Sequence, residues 1–258
     1  MMGIMVKRSP SFSITGKKFN VIILAAGVGA RLKPETDFVP KPLIELGKQR
    51  AIDYLIQKYQ YISERLIIAT GYGADILEYY VRGKYSALNP IFSREDVSEL
   101  AGPGRSLVYA LDHASSKLPT LITFCDYIME DYISVDHDAL GISQRPKPPY
   151  VVDPHPKGLA VVEDGIVVNL VENKHLDRTI YGGFTGLAIC HNTTLLKSIA
   201  YTKALETGFK PDYTFDIIKT YISRIKTIAL PLSRMFEFGT PIMLKKVRES
   251  LGEQVAGD

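Results

Sequence analysis

The sequence predicts an α/β fold in which helices cover both faces of a mostly parallel sheet. Three observations support this prediction: short apolar runs typical of buried strands, helical periodicity between those runs, and glycine-containing turns where the runs end. The 258 residues are 46% hydrophobic and 23% charged, which is enough apolar material for one domain with a large core. We expect a basic N-terminal extension over residues 1–19 and a single domain over residues 20–251.

In the first half of the chain, strand patterns alternate with helix patterns. Parallel strands need right-handed crossovers, so the loops that follow these strands should share one edge of the sheet, where ligands bind in such folds. The predicted elements are strands at Asn20–Leu24, Arg65–Thr70, Pro90–Ser93 and Leu121–Cys125, and helices at Ala51–Tyr59, Asp75–Val81 and Ser106–Ala114.

The second half follows a different pattern. An Asp164-Gly165 pair between apolar runs predicts a β-hairpin over Gly158–Val171. A strand at Phe184–Cys190 then precedes helices at Thr193–Leu205 and Tyr213–Ser223. We interpret this half as a sub-layer that holds a second substrate over the edge of the sheet.

Charge and cysteine content narrow the choice of partner. The net charge of +3 is small and scattered, which argues against a nucleic-acid surface and favours a local basic pocket for a small anion. Cys125 and Cys190 lie in apolar runs and should be reduced, buried thiols. No apolar run approaches the length of about 20 residues that spans a bilayer, so we expect a soluble, cytoplasmic protein without a membrane partner. The aromatic and apolar content is compatible with a homo-oligomer.

The most informative stretch is the first loop, residues 25–42, which follows the first strand. Its turn of small residues lets a polyanion approach backbone N–H groups, and Arg31 and Lys41 add positive charge. The combination predicts a nucleoside triphosphate site, although isolated charges of this kind are also compatible with a solvated loop. The nucleotide-binding candidates here are Leu24, Ala25, Ala26, Gly27, Gly29 and Ala30.

With these residues in place, the chain resembles the sugar-1-phosphate nucleotidyltransferase family, short single-domain type. The family signature L-A-[AG]-G-x-G-x-R-[LM], followed by P-K-P, is matched by Leu24–Leu32 and Pro40–Pro42. Further segments match in order as far as residue 245 or so. The resemblance implies a GT-A-like three-layer sandwich, with a nucleotide half over about residues 20–126 and an acceptor half over about residues 127–251.

The resemblance also implies a reaction. A phosphate oxygen of a sugar 1-phosphate, or of a phosphorylated alcohol, attacks the α-phosphorus of the triphosphate, and pyrophosphate leaves. By resemblance, Arg31 stabilises the departing pyrophosphate and Lys41 neutralises charge at the α-phosphate and the incoming phosphate. Asp126 would bind Mg²⁺ with Glu237, which stands where the family has a second metal-binding aspartate. A helix cap at Asp126 and a rim charge at Glu237 are the alternatives.

Residues of the second half are implied to bind the acceptor. Glu172 and Lys174 resemble the family's E-K-P segment, with one extra residue between them, and a solvated turn is the alternative. Gly158, Thr185 and Gly186 stand where the family approaches the sugar, and strand packing would also explain them.

For the base, the resemblance points to the segment before the third helix. Gly102 or Gly104 would let the base stack on the backbone and Ser106 would bond a base edge, whereas a tight turn that needs these glycines is an equal alternative. The overall resemblance to short cytidylyltransferases favours a pyrimidine triphosphate, with CTP ahead of UTP or dTTP.

Two other functions follow from single features. Cys125 stands where the family has glycine, and Glu237 replaces an aspartate, so a catalytically silent nucleotide-binding or nucleotide-sugar-binding regulatory subunit remains an alternative. Gly27 and Gly29 after a strand also resemble part of a dinucleotide-binding motif. The third glycine of that motif is replaced by Leu32, and no acidic residue ends the second strand, which argues against an oxidoreductase.

Overall fold

The structure of the protein is a computed structural model, which describes residues 16–95, 102–143, 148–150, 158–172, 181–208 and 213–256. These residues form thirteen strands and six helices. The strands are β1 (Phe19–Leu24), β2 (Glu45–Leu46), β3 (Gln49–Arg50), β4 (Ser63–Thr70), β5 (Ile91–Arg94), β6 (Thr120–Phe124), β7 (Tyr127–Met129), β8 (Ala139–Ser143), β9 (Gly158–Glu163), β10 (Ile166–Glu172), β11 (Tyr181–Cys190), β12 (Ile228–Leu232) and β13 (Met235–Glu237). The helices are α1 (Ala51–Tyr59), α2 (Ala74–Tyr85), α3 (Pro103–Asp112), α4 (Thr193–Thr207), α5 (Tyr213–Ile222) and α6 (Pro241–Ala256).

Nine strands form one sheet in the order β5-β4-β1-β6-β11-β8-β12-β10-β9. The first four run parallel, and the register pairs Leu24 of β1 with Ala69 of β4 and with Phe124 of β6. The three strand ends therefore lie side by side at one edge, as the alternation of strands and helices predicts. All six residues of β1 are buried, which is typical of a central parallel strand.

The second half of the sheet is mixed rather than parallel. β11 runs antiparallel to both β6 and β8, and β9 and β10 form an antiparallel hairpin. Asp164 and Gly165 both have positive φ angles, 47° and 77°, which is the geometry of a type I′ turn. The predicted hairpin is thus confirmed. Strands joined by so short a turn must run antiparallel, which explains the β9–β10 pair. Parallel pairing is found among β5, β4, β1 and β6 and between β8 and β12.

Helices cover both faces of the sheet and give three layers. The first core cluster joins apolar residues of α3, α4 and α5 to one face, and the second joins α1 and α2 to the other. This confirms the predicted α/β class with helices on both sides. Among the described helices, none is long and apolar enough to cross a membrane.

A third core cluster lies beyond the edge of the sheet and was not foreseen from the sequence. It packs Leu32 of the first loop against Phe236 of β13, Phe238 directly after β13, and Val247 of α6. β13 pairs with β7 in a separate two-stranded sheet. These two strands have only three residues each, too few for a recognisable alternation, yet they bring the C-terminal segment to the first loop.

Both cysteines are free thiols and buried, as predicted. Cys125 follows β6 directly, and burial raises the pKa of its thiol to about 12. It is therefore protonated at neutral pH. Burial also raises the pKa of Cys190 well above its ordinary value.

Gly186 of β11 is a position where only glycine fits. Its φ is +78°, and a Cβ built on it would lie 1.9 Å from Cδ2 of the Phe124 ring. We expect Gly186→Ala to lower the free energy of unfolding by at least about 2 kcal/mol, because backbone strain and an overlap with a packed ring add together. Guanidinium denaturation provides the measurement.

The matched control is Gly83→Ala, since Gly83 lies inside α2 and a Cβ there meets no heavy atom within 4 Å. Alanine should be neutral or stabilise this helix by about 0.5–1 kcal/mol. Equal unfolding midpoints for the two variants would show that the Gly186 contact is not tight.

Candidate active site

The first loop begins at the carboxyl end of β1 and is held between its two neighbouring strands. Ala25 N–H donates to Ala69 O at 3.0 Å on one side, and Cys125 N–H donates to Leu24 O at 3.2 Å on the other. Gly27 is exposed, with open space around its Cα. The small-residue turn therefore lies at the predicted ligand-binding edge, with its backbone accessible.

Gly29 allows the loop to turn tightly past Lys41. Its φ is +69°, and a Cβ would lie 2.9 Å from Thr36 Cγ2 and 3.3 Å from Lys41 Cβ. The Thr36 hydroxyl donates to Gly29 O at 3.0 Å and stabilises this approach. The following residues, Ala30–Leu32, form one 3₁₀ turn with Leu32 buried, which leaves Arg31 on the exposed side.

The loop after β4 contacts the first loop and stabilises it through hydrogen bonds. Tyr72 N–H donates to Ala26 O at 3.0 Å, and the Tyr72 hydroxyl donates to Thr36 O at 3.2 Å. A Cβ on Gly71 would lie 2.8 Å from Ala26 O, and one on Gly73 would lie 2.9 Å from Pro40 Cβ. These two glycines let the loops pack closely, so the first loop is a braced element rather than a free one.

Lys41 and Asp126 form an ion pair in the site. Lys41 Nζ lies 2.9 Å from Asp126 Oδ2, and the side chains are 12% and 20% exposed. Burial alone would lower the pKa of Lys41, but the neighbouring Asp126 carboxylate outweighs it and the pKa is raised. The ammonium therefore stays charged at neutral pH and is available to neutralise an anion.

The two oxygens of the Asp126 carboxylate differ in their surroundings. Oδ1 is buried and accepts no hydrogen bond from the described residues. A buried carboxylate oxygen without a donor is costly unless a ligand or ion satisfies it. Because Phe238 N–H donates to Asp126 O at 3.2 Å, the carboxylate is also held next to the segment that follows β13.

Glu237 is the last residue of β13 and pairs with Tyr127, the residue after Asp126, so its backbone lies next to that of Asp126. Its side chain is 6% exposed. A Cβ built on Gly239 would lie 3.5 Å from Glu237 Oε1 and 3.4 Å from Arg31 Nη2, so both charged groups approach this glycine. The structure thus brings together all four predicted charged residues, two cations and two carboxylates.

The carboxylate pair fits a divalent metal. Mg²⁺ at phosphoryl-transfer sites is held by one or two carboxylates and completes its shell with substrate phosphates and water. Asp126 Oδ1 is a hard oxygen donor that accepts no hydrogen bond from the described residues, and Glu237 pairs in the two-stranded sheet with Tyr127, the residue after Asp126. Within the described residues no group of three or more His, Cys, Asp or Glu side chains could hold an ion alone, so phosphate oxygens would have to contribute.

The base candidates lie on the α3 side of the same edge. Gly102 has an extended backbone and caps α3, and Ser106 is 4% exposed in its first turn. The Ser106 hydroxyl lies 2.5 Å from Glu95 Oε1 and 3.1 Å from Gly102 O, and it can donate to either. Glu95 itself was not singled out from the sequence, although an acidic residue directly after a strand was the available signal.

The acceptor candidates fall into three groups. Lys174 lies outside the described residues, and Glu172 ends β10 with an exposed side chain. Thr185 is buried, and its hydroxyl donates to Gly141 O at 3.0 Å. Gly158 and Gly186 pack against aromatic rings, since a Cβ on Gly158 would lie 2.7 Å from the Phe215 ring. Thr185, Gly158 and Gly186 thus contact other residues of the protein in this structure.

The sequence is similar to those of known nucleotidyltransferases. A family model described as a MobA-like NTP transferase domain matches residues 21–161. The bifunctional protein GlmU of Ralstonia nicotianae is 27% identical over 213 residues, covering 78% of this chain and 44% of that protein. N-acetylmuramate alpha-1-phosphate uridylyltransferase of Caulobacter vibrioides is 28% identical over 133 residues, covering 49% and 53%. The chain therefore spans about half the length of these curated relatives.

Solved structures share the fold over nearly the whole chain. CTP:phosphocholine cytidylyltransferase (LicC) from Streptococcus pneumoniae has a TM-score of 0.74 at 19% identity, covering 90% of this chain and 98% of that one. A UDP-glucose pyrophosphorylase complexed with UDP-glucose has a TM-score of 0.71 at 17% identity, covering 93% and 100%. Inositol-1-phosphate CTP transferase from T. maritima has a TM-score of 0.67 at 18% identity, covering 91% and 98%.

Proposed function

Because the chain belongs to the MobA-like NTP transferase family, we propose that it transfers a nucleotidyl group from a nucleoside triphosphate to a phosphorylated sugar or alcohol. The products are a nucleotide-sugar, or its alcohol equivalent, and pyrophosphate. One observation carries this proposal: Arg31, Lys41, Asp126 and Glu237 converge at the carboxyl edge of the sheet beside the first loop.

The cations account for binding of the phosphates. Arg31 lies on the exposed side of the loop, where its planar guanidinium can bind two oxygens of the β- and γ-phosphates. Lys41 lies deeper, beside Asp126, where its ammonium can contact the α-phosphate and the incoming phosphate. The backbone N–H groups of the small-residue turn would contribute further donors. This order of contacts aligns the attacking oxygen opposite the leaving pyrophosphate.

The carboxylates account for the metal. Asp126 and Glu237 would hold Mg²⁺, and when bound it would neutralise phosphate charge in the transition state. Lys41 orients the Asp126 side chain through the 2.9 Å ion pair with Oδ2, which leaves Oδ1 available for the metal. The acceptor phosphate is already ionised at neutral pH, so its attack requires no side chain to remove a proton.

Residues of the second half would complete the acceptor site. Glu172 and Lys174 are proposed to bind sugar hydroxyls and the acceptor phosphate, with Gly158, Thr185 and Gly186 shaping the strands around them. Gly102 and Ser106 are proposed to lie beside the base. A pyrimidine triphosphate is favoured, with CTP ahead of UTP or dTTP, because of the resemblance of the sequence to short cytidylyltransferases.

Acceptor-dependent pyrophosphate release tests this function. The protein should release pyrophosphate from CTP in the presence of Mg²⁺ and one member of a panel of sugar 1-phosphates, phosphocholine and inositol 1-phosphate. Mass spectrometry should find the matching CDP-linked product. If the protein binds nucleotide but releases pyrophosphate with none of the acceptors, the result would instead support a silent binding subunit. If the product forms from another triphosphate, that triphosphate would replace CTP as the proposed substrate.

A further inference from the structure

A buried carboxyl group lies at the same edge of the sheet as the first loop, two strands away. Glu95 follows β5 directly, and its N–H donates to Thr70 O at 2.9 Å. Its side chain is only 3% exposed. Burial of a carboxyl group costs free energy unless hydrogen bonds compensate, so the partners of each oxygen decide what this residue can do.

The two oxygens of Glu95 have different surroundings. Oε1 lies 2.5 Å from the Ser106 hydroxyl. Oε2 is buried and accepts no hydrogen bond from the described residues, and its ion-pair partner Arg105 Nε is 3.9 Å away. Burial raises the pKa of Glu95, while Ser106 and Arg105 oppose the rise. One buried acceptor, Oε2, therefore has no hydrogen-bond donor among the described residues at the edge where substrates are expected to bind.

The position of Glu95 suits the base of a nucleotide whose phosphates occupy the first loop. Adjacent strands lie about 4.8 Å apart, so the ends of β1 and β5 are about 10 Å apart along the edge. The end of β4 lies between them, where Gly71 packs against Ala26 without a side chain. α3 contacts β1, β4 and β5, and its first turn carries Ser106 to Glu95. A flat group lying over Gly71 would thus extend from the first loop toward the end of β5, which Glu95 follows directly.

We propose that Glu95 determines the choice of base, with Oε2 accepting a hydrogen bond from the exocyclic amino group of cytosine in CTP. This inference rests on the proposed function. Cytosine carries an amino donor at position 4, whereas uracil and thymine carry a carbonyl oxygen there, which a carboxylate oxygen would repel. Ser106 is then a positioning residue, because its hydroxyl bonds Oε1 and turns Oε2 toward the ligand.

The test compares CTP with UTP in the wild-type protein and in Glu95→Gln. Calorimetric dissociation constants, measured without acceptor, give the ratio of affinities independently of turnover. The wild type should prefer CTP, and Glu95→Gln should reduce the preference at least about tenfold, the scale of one good hydrogen bond to a base edge. Glutamine is nearly isosteric, and its amide can donate to the uracil carbonyl, so UTP binding should improve.

The matched control is Glu78→Gln. The Glu78 carboxylate accepts a hydrogen bond from Thr70 Oγ1 at 2.8 Å and forms an ion pair with Arg94. Glu78→Gln therefore removes one negative charge close to Glu95, as Glu95→Gln does. Its ratio of affinities should equal that of the wild type. Ser106→Ala provides a second variant should Glu95→Gln not fold, and it should reduce the CTP preference by a smaller factor.

Three outcomes would overturn the inference: a wild type that binds UTP, GTP or ATP more tightly than CTP, a folded Glu95→Gln with an unchanged ratio, or a Glu78→Gln that changes the ratio equally. If pyrophosphate is released but the ratio does not change, only this inference fails. If the ratio changes but no acceptor yields pyrophosphate, only the proposed reaction fails. A protein that binds no triphosphate would contradict both.

Discussion

Replacing Asp126 with asparagine should remove most of the metal-dependent pyrophosphate release while the fold stays intact. Asparagine keeps the shape of the side chain but loses the charge that a divalent ion requires. Because a metal ion supplies several kcal/mol of transition-state stabilisation, we expect turnover to fall by about 10²-fold to 10³-fold. Steady-state kinetics over a Mg²⁺ titration provides the measurement, and circular dichroism verifies the fold.

The same substitution should change how the residual activity depends on pH. The Asp126 carboxylate is what outweighs burial and raises the pKa of Lys41. Without that carboxylate, burial dominates and the pKa of Lys41 falls, so the ammonium loses its proton at a lower pH. Residual activity should therefore decline toward alkaline pH earlier than wild-type activity does.

Asp37→Asn is the matched control for Asp126. Asp37 lies in the first loop and pairs with Lys33 at 3.1 Å, with 38% of its side chain exposed. We expect nearly wild-type turnover and Mg²⁺ dependence. Full activity in Asp126→Asn, or an equal loss in both variants, would place the metal at other residues.

The second large effect should come from Arg31→Ala. Arg31 Nη2 approaches Gly239 beside the Glu237 carboxylate, on the exposed side of the first loop. The guanidinium is expected to stabilise charge that develops on the departing pyrophosphate. Removing one such donor typically costs about 10²-fold or more in turnover. Stopped-flow or coupled pyrophosphate assays at saturating triphosphate provide the measurement.

Lys33→Ala is the matched control for Arg31. Lys33 is two residues further along, its side chain is 59% exposed, and its pair with Asp37 is a surface ion pair of small energetic value. Its loss should leave turnover within about twofold of wild type. Unchanged turnover in Arg31→Ala would contradict the assigned contact with the leaving group.

The local parts of the fold could be predicted from the sequence because short-range patterns determine them. β1, β4 and β6 are apolar runs, and the Asp164-Gly165 turn has its own backbone signature. The signature from Leu24 to Pro42 is also local, and the family it indicated is confirmed by the family model over residues 21–161.

The arrangement of the second half could not be predicted in the same way. β8 and β12 become neighbours across almost 90 residues, and β7 meets β13 across more than 100. Such pairings depend on tertiary packing rather than on the pattern of either strand. Glu237 was named as a metal candidate from its motif, but its closeness to Asp126 became visible only through the β7–β13 pairing.

The contact partners of individual residues also could not be predicted from the sequence. Ser106 resembles a residue that could contact a base, yet its hydroxyl bonds Glu95, a residue that no motif marked. Gly186 resembles a site for close approach of a sugar, and the atoms that crowd it in the structure belong to the Phe124 ring. A type of residue at a position indicates chemistry, whereas the partner of its polar atom depends on the fold.

A crystal structure with Mg²⁺ and a nonhydrolysable CTP analogue tests the central claim most directly. We predict a metal ion bound to Asp126 Oδ1 and to Glu237, phosphates on the backbone of the first loop, and the Arg31 guanidinium on the terminal phosphates. The account would be contradicted by a triphosphate bound away from this loop, or by a metal ion whose protein ligands include neither carboxylate.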